Sequence, residues 1–363
     1  MKPRDLSQHP EYVPGRGVEE VARERGLDPA TLITLSSNEN ELGPSPDAID
    51  VIKRTAHRAH RYPKSSHADL TEALADDWGV DPQQIWLANG GDGVIDYLSR
   101  AVLSPGDAIL VPTPGFAYYE MSARFHHGHA RSYDVKKEDD FAMTVDGILH
   151  QFSDERIVFV TSPHNPSGAT MAQSDIETLA RETPHDTLVV VDEAYGAFSP
   201  TRSAVPLVEQ RDDVVVLRSF SKSHGLAGLR LGYGIIPAAW ADAFTRVNTP
   251  FAANEIACQA GIAALNDTEH VQRTVEMVAK GREYIYETLE ARTWESAGNF
   301  VLADVGDASE VTNTLMDRGI IVRDCSSFGL PNCIRITIAP MDDLGIAIEA
   351  CNDVLNELTA VTD

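Results

Sequence analysis

From about residue 85 the chain alternates short apolar runs with longer stretches in which apolar positions recur every three or four residues. "DAILVPTP" (107–114), "IVFVTSP" (157–163), "TLVVVDEAY" (187–195) and "VVVLRSFS" (214–221) are β-branched runs ending in small or polar residues. That is the form of strands buried on both faces. Amphipathic segments such as "AQSDIETLARET" (172–183) separate them. The alternation predicts a largely parallel sheet covered by helices. Helical periodicity is also read at 47–60, 67–78 and 234–248, and as long helices over 254–292. Further on, "NFVLADV" (299–305), "GIIVRD" (319–324) and "CIRITIA" (333–339) read as strands, with helices near 308–318 and 343–358. The expected fold class is α/β. An N-terminal arm (1–34) with one short helix, "GVEEVARERG", joins a small domain; residues 35–248 form a large domain and 249–363 a small α+β domain. A chain of 363 residues is long for one core, which favours two associated units.

Composition narrows the function classes. No run of about 18 apolar residues is present, so no membrane partner is expected. The opening "MKPRDLSQHPEYVPG" lacks the apolar stretch of a secretory signal, and the expected location is the cytoplasm. Cys258, Cys325, Cys333 and Cys351 are widely spaced, which points to reduced thiols and no structural zinc. The net charge of −25 argues against nucleic acid, because phosphate backbones need basic patches. Acids are spread along the chain, and lysines number only seven against twenty-three arginines. Such a surface suits molar salt, where the Debye length is about 3 Å and self-repulsion is screened.

In open α/β sheets, ligands bind outside the carboxyl ends of the strands. Asn165 follows "IVFVTSPH", Asp192 closes "TLVVV" and Lys222 follows "VVVLRSFS". Their separations, 27 and 30 residues, are each about one strand-plus-helix unit, so all three reach one rim. An amide, a carboxylate and an amine there fit a pyridoxal phosphate site. The lysine condenses with the aldehyde, and the carboxylate keeps the pyridine nitrogen protonated so that the ring is an electron sink. Asn165 and Tyr195 can donate to the phenolate oxygen. The lysine must shed its proton to react, and desolvation and cations such as Arg230 lower its pKa. Ser219, Ser221 and Arg230 suit a phosphate. So do backbone N–H groups at Gly91 and Asp92, where "LANGGDGVIDYLSRAVL" (87–103) opens a predicted helix. "PGFAYY" (114–119) offers Phe116, Tyr118 and Tyr119 as the aromatic over the ring. A solvated turn lysine at 222 would leave the matching spacing of Asn165 and Asp192 unexplained.

Together these segments resemble the fold-type I pyridoxal-phosphate aminotransferases, in the same order from Tyr12 to Arg335. "LSSNENELGPSP" (35–46) is similar to that family's asparagine-rich N-terminal signature. "RYP" (61–63) is similar to the loop that sends a tyrosine to the neighbouring subunit's cofactor phosphate. "SPHNPSG" (162–168), "DEAY" (192–195), "SFSKSHGLAGLRLGY" (219–233) and "CIRIT" (333–337) complete the set. The resemblance implies that Lys222 anchors the cofactor covalently and that Asp192 is the pyridinium partner. It implies that Asn165 and Tyr195 meet the phenolate oxygen and that Phe116 is the aromatic lid, with Tyr119 the alternative. Gly91, Asp92, Ser219, Ser221 and Arg230 would hold the phosphate, with Tyr62 contributed across a homodimer. Tyr12, Asn40, Arg323 and Arg335 would line the substrate end. Within the family the likeness is greatest to the branch that exchanges an amino group between histidinol phosphate and 2-oxoglutarate, which implies these and glutamate as small-molecule substrates. Four departures bear on the substrate: Gly93 for an acid, Glu41 for a proline, Ser223–His224 for a small and aromatic pair, and Ala252 for an asparagine beside Asn254.

Other readings stay in view. A threonine-phosphate decarboxylase of cobalamin synthesis or an aromatic aminotransferase would use the same lysine. A non-catalytic cofactor-binding regulator is disfavoured because no basic patch or helix-turn-helix appears. His126, His127 and His129 in "RFHHGH", and His57 and His60, have no convergent acid, so no metal is expected.

Overall fold

The computed structural model describes residues 6, 7, 9, 11–64 and 67–362; the first five residues of the expected arm lie outside the described residues. In chain order the strands are β1 (Ile33–Leu35), β2 (Ile85–Asn89), β3 (Ala108–Thr113), β4 (His129–Asp134), β5 (Ile157–Thr161), β6 (Leu188–Asp192), β7 (Val214–Ser219), β8 (Leu231–Ile235), β9 (Arg292–Thr293), β10 (Phe300–Asp304), β11 (Ile320–Asp324) and β12 (Cys333–Thr337).

Seven of them form one sheet in the order β2-β8-β7-β6-β5-β3-β4. Every pairing from β7 through β4 is parallel, and β8 runs antiparallel to both its neighbours. The order explains the apolar runs. Val189, Val190, Val191, Val214, Val215 and Val216 are fully buried, because helices cover both faces of the sheet. Each such side chain contributes about 1.5–3 kcal/mol of transfer free energy. That burial holds the strand ends, and what they carry, in fixed register.

Three strands of this sheet escape a search for apolar runs. β4 is a half-exposed edge, "HARSYD". β2 passes into the glycine turn of the next helix. β8 falls partly within the helical periodicity read at 234–248, where the helix itself spans only Ala241–Val247. Gly232 and Gly234 alternate with Leu231, Tyr233 and Ile235 in β8, which weakens its strand signal. A Cβ on Gly232 would lie 2.5 Å from the backbone carbon of Gly90, so this strand needs glycine to approach the turn after β2.

The second sheet has five strands in the order β1-β11-β12-β10-β9. β1 comes from the N-terminal region and runs parallel to β11; the other pairings are antiparallel. Helices Thr268–Thr288, Ala308–Asp317 and Met341–Thr362 cover it. The short arm helix is Val18–Arg25. In "RFHHGH" His127 sits in a turn with φ of 64°, and β4 starts only at His129. Among the described residues no cluster of His, Cys, Asp and Glu is arranged to hold a metal ion. Among the described residues no helix is long and apolar enough to cross a membrane.

Candidate active site

A cavity of about 620 Å³ opens at the carboxyl ends of β5, β6 and β7, closed on its other side by β11, β12 and the segment before β1. Parallel pairing puts Thr161 opposite Asp192 and Asp192 opposite Leu217. Asn165, Asp192 and Lys222 therefore leave adjacent strands, and all three line the cavity. Tyr12, Gly91, Asp92, Phe116, Tyr195, Ser219, Ser221, Arg230, Arg323 and Arg335 line it too.

The Lys222 amine donates to the Ser37 carbonyl at 3.2 Å and lies 5.5 Å from the centre of the Tyr195 ring. Burial, with Arg335 and Arg230 nearby, lowers its pKa to about 8, against the opposing charges of Glu39 and Asp92. The loop carrying it is packed tightly: a Cβ on Gly225 would stand 2.3 Å from the Gly43 carbonyl oxygen. His224 takes the place of an aromatic residue as an uncharged ring. It packs 4.8 Å from Phe220, and burial holds its pKa near 4.

Asp192 is buried, and burial pushes its pKa up. Two donors oppose that push: the Tyr119 hydroxyl at 2.6 Å and the Ala194 N–H at 2.9 Å. Tyr119 also bonds Thr161 at 2.9 Å and stacks on Phe159 at 4.3 Å. Tyr119 is thus committed to Asp192 at the cavity wall, where Phe116 and Tyr118 also stand. The part played by Tyr119 is not legible in the sequence, where it is one aromatic among three. Tyr195 accepts from Asn38 Nδ2 at 3.0 Å, which leaves its own hydroxyl proton to give.

The phosphate end is built from a helix start. Helix Gly90–Val102 has no side-chain cap, and Gly91 and Asp92 in its first turn face the cavity. Its first N–H groups lack intrahelical acceptors, so the end is suited to an anion. A Cβ on Gly90 would lie 2.5 Å from Arg230 Nη2, so glycine is what lets that guanidinium reach the turn. Arg230 holds the left-handed backbone at φ 53° and pairs with Asp92 at 3.2 Å. Ser219 Oγ accepts from the Ser221 N–H at 3.0 Å, which shapes the loop.

At the other end, Arg323 and Arg335 face each other across β11 and β12. Arg335 is buried; its Nη1 donates to Asn165 Oδ1 and its Nη2 to the Ser36 carbonyl at 2.8 Å. Because Oδ1 of Asn165 is the acceptor, its NH2 group is left to donate into the cavity. Arg323 donates to the carbonyls of Val13 and Pro14 and to Ser327, fixing the arm across the opening. Tyr12, on that arm, meets Phe116 edge-on at 6.2 Å. Two guanidiniums and one anion-binding helix start are more positive charge than an apolar ligand needs, and they match a ligand with anions at both ends.

Two expected site residues stand outside the cavity. The Asn40 amide is spent on structure, donating to the Ser223 carbonyl at 3.2 Å and to Thr274 at 3.1 Å while accepting from the Leu42 N–H. It braces the lysine loop and does not line the substrate end. Tyr62 lies on the surface, 83% exposed and stacked on Phe251 at 4.8 Å. Ser37, Asn38 and Thr161 join the lining without having been singled out.

The residues fit a pyridoxal phosphate. A buried acid, an amine of lowered pKa and a glycine turn at a helix start lie in one cavity, the groups that a ring nitrogen, an aldehyde and a phosphate would need. The profile of the aminotransferase class I and II family matches residues 30–350. The chain belongs to that family. It is 57% identical over 360 residues to the histidinol-phosphate aminotransferase of Haloarcula marismortui, covering 99% of this chain and 100% of that one. It is 58% identical over 358 residues to the histidinol-phosphate aminotransferase of Halorubrum lacusprofundi, covering 99% and 98%. Its fold superposes with a TM-score of 0.89, at 27% identity and 98% coverage of both chains, on the crystal structure of histidinol-phosphate aminotransferase from Sinorhizobium meliloti in complex with pyridoxal-5'-phosphate.

Proposed function

We propose that the cavity transfers the amino group of L-histidinol phosphate to 2-oxoglutarate, giving imidazole acetol phosphate and glutamate, a step of histidine biosynthesis, with pyridoxal 5'-phosphate as cofactor. The single observation that carries it is the convergence of Asn165, Asp192 and Lys222 opposite the Arg323–Arg335 pair, in a chain more than half identical over its full length to proteins of that name. When bound, the cofactor supplies an electron sink for the carbon that loses its proton. The protein's own groups do the rest. Lys222 Nζ takes the Cα proton and returns it, a task its lowered pKa suits. Asp192, ordered by Tyr119, holds the charge on the ring nitrogen. Asn165 Nδ2 and the Tyr195 hydroxyl donate to the phenolate oxygen. Gly91, Asp92, Ser219, Ser221 and Arg230 hold the cofactor phosphate, and Arg323 and Arg335 hold the substrate anion. Tyr12 and Phe116 shut out water.

The same reading assigns residues 35–248 to cofactor binding and places the enzyme in the cytoplasm. It also makes the enzyme a homodimer, in which exposed Tyr62 reaches the other subunit's cofactor phosphate. Tyr62→Phe is expected to weaken cofactor affinity roughly tenfold, the scale of one hydrogen bond to a charged group. Unchanged affinity would remove Tyr62 from the site.

The test of the reaction uses the cofactor's own absorption. L-histidinol phosphate added to the yellow enzyme should bleach the visible band, and 2-oxoglutarate should restore it. Carbon dioxide release from phosphothreonine, with no bleaching by histidinol phosphate, would overturn the assignment.

A further inference from the structure

We infer that the carboxylate of Glu39 accepts the imidazole N–H of the phosphorylated substrate and so separates that substrate from glutamate within one cavity. The inference rests on the substrate reading above and deepens it. Lys222, Arg230, Arg323 and Arg335 are the cations facing the cavity; Arg230 belongs to the phosphate end, and the other three serve features that both substrates share, an amine-bearing carbon and an anion. Nothing in that set tells an imidazole from a carboxylate.

Glu11, Glu39, Asp92 and Asp192 are the acids that line it. Asp92 is paired with Arg230, and Asp192 is held by Tyr119 and the Ala194 N–H. The Glu39 carboxylate has no hydrogen bond or ion pair among the described residues. Its backbone, by contrast, is pinned. Asn38 takes the left-handed conformation at φ 53°, and its N–H donates to Thr337 Oγ1 at 3.0 Å. Asn299 Nδ2 donates to the carbonyls of Asn38 and Glu39 at 3.0 and 3.1 Å. A free acid on a fixed backbone is placed to receive a ligand group, not to complete the fold. Glu11 is unpaired among the described residues as well, but Glu39 follows two residues after Ser37, whose carbonyl accepts from the Lys222 amine at 3.2 Å, and this sets Glu39 beside the reacting amine.

The chemistry then sorts the two substrates. Imidazole presents an N–H donor in its neutral and its charged form, and a carboxylate accepts from either. Glutamate brings a second carboxylate in place of the ring. Glu39 repels it, and the arginine pair takes it instead.

The test compares half-reactions of the cofactor-loaded enzyme. In Glu39→Ala, the ratio of kcat/KM for L-histidinol phosphate to kcat/KM for L-glutamate is expected to fall tenfold or more, with the change carried by KM. Glu39→Gln, which keeps an oxygen acceptor without the charge, is expected to lower the ratio less. Calorimetric titration of the cofactor-free protein with L-histidinol phosphate should show a loss of affinity in the same order, larger in Glu39→Ala than in Glu39→Gln. A ratio within threefold of wild type in Glu39→Ala, with the bound-cofactor spectrum intact, would overturn the role of Glu39. Failure of the wild-type enzyme to bleach with L-histidinol phosphate would instead overturn the substrate reading beneath it.

Discussion

The Tyr119 hydroxyl donates to Asp192 Oδ2 at 2.6 Å, joining the helix after β3 to the end of β6. Burial pushes the Asp192 proton affinity up, and this bond works against that push. An ionised Asp192 is what a protonated ring nitrogen requires. Tyr119→Phe should therefore lower kcat/KM by about 5–30-fold, the equivalent of a hydrogen bond worth about 1–2 kcal/mol. Steady-state kinetics with a parallel melting curve separates this from unfolding.

Lys222 gives a signed pH prediction for the cofactor-free protein. Its pKa is about 8 in the fold against 10.5 ordinarily. Below pH 8 both folded and unfolded chains carry the proton, and the fold bears the full cost of burying it. Between about 8 and 10.5 the folded chain sheds the proton first, so stability rises with pH. Lys222→Met should stabilise the cofactor-free protein at pH 7 by up to about 3 kcal/mol, with the gain vanishing by pH 10.5. Denaturant titrations at pH 7, 9 and 10.5 check the trend. The same variant should lose at least 10³-fold in turnover, since no other amine lies at that atom.

Arg335 binds through two nitrogens at once, one to Asn165 and one to the Ser36 carbonyl. A lysine keeps the charge and loses the fork. Arg335→Lys is expected to raise KM for both substrates about 10–100-fold, because the same change frees Asn165 from its orientation. A rise for one substrate alone would show that Asn165 is held by other means.

With 55 acidic and 30 basic residues, the folded chain repels itself in dilute buffer. The melting temperature should climb steeply as potassium chloride rises from 0.1 to 3 M, as screening shortens to a few ångströms. Thermal melts across that series are sufficient. A flat profile would mark the acidity as unrelated to salt.

The parts of the site that sit on buried strands were legible in the sequence, since β5, β6 and β7 are unbroken β-branched runs and the residues after them must emerge at one rim. Lys222, Asp192 and Asn165 were found on that ground. β8 was hidden because alternate glycines remove its apolar signal, though one of them, Gly232, is what lets the turn at Gly90–Gly91 come close. Tyr119 was read only as an alternative to Phe116 over the ring, since only the packed structure shows its hydroxyl bonded to Asp192. Asn40 was read as a substrate residue from its position in a motif. Its partners, Ser223 and Thr274, lie 183 and 234 residues away, a relation no local pattern reveals.

The pairing of Thr161 with Asp192 and of Asp192 with Leu217 makes the sheet a ruler. Neighbouring strands are separated by about 4.8 Å, and successive residues point to opposite faces. An extra residue inserted after Val190 would leave the hydrophobic content nearly untouched, yet turn the acid away from the mouth and put valine in its place. An equal insertion between exposed Glu209 and Gln210 would leave that register as it is. The tolerance of this enzyme to lengthening is thus set by backbone hydrogen bonds and not by how near a position lies to the chemistry.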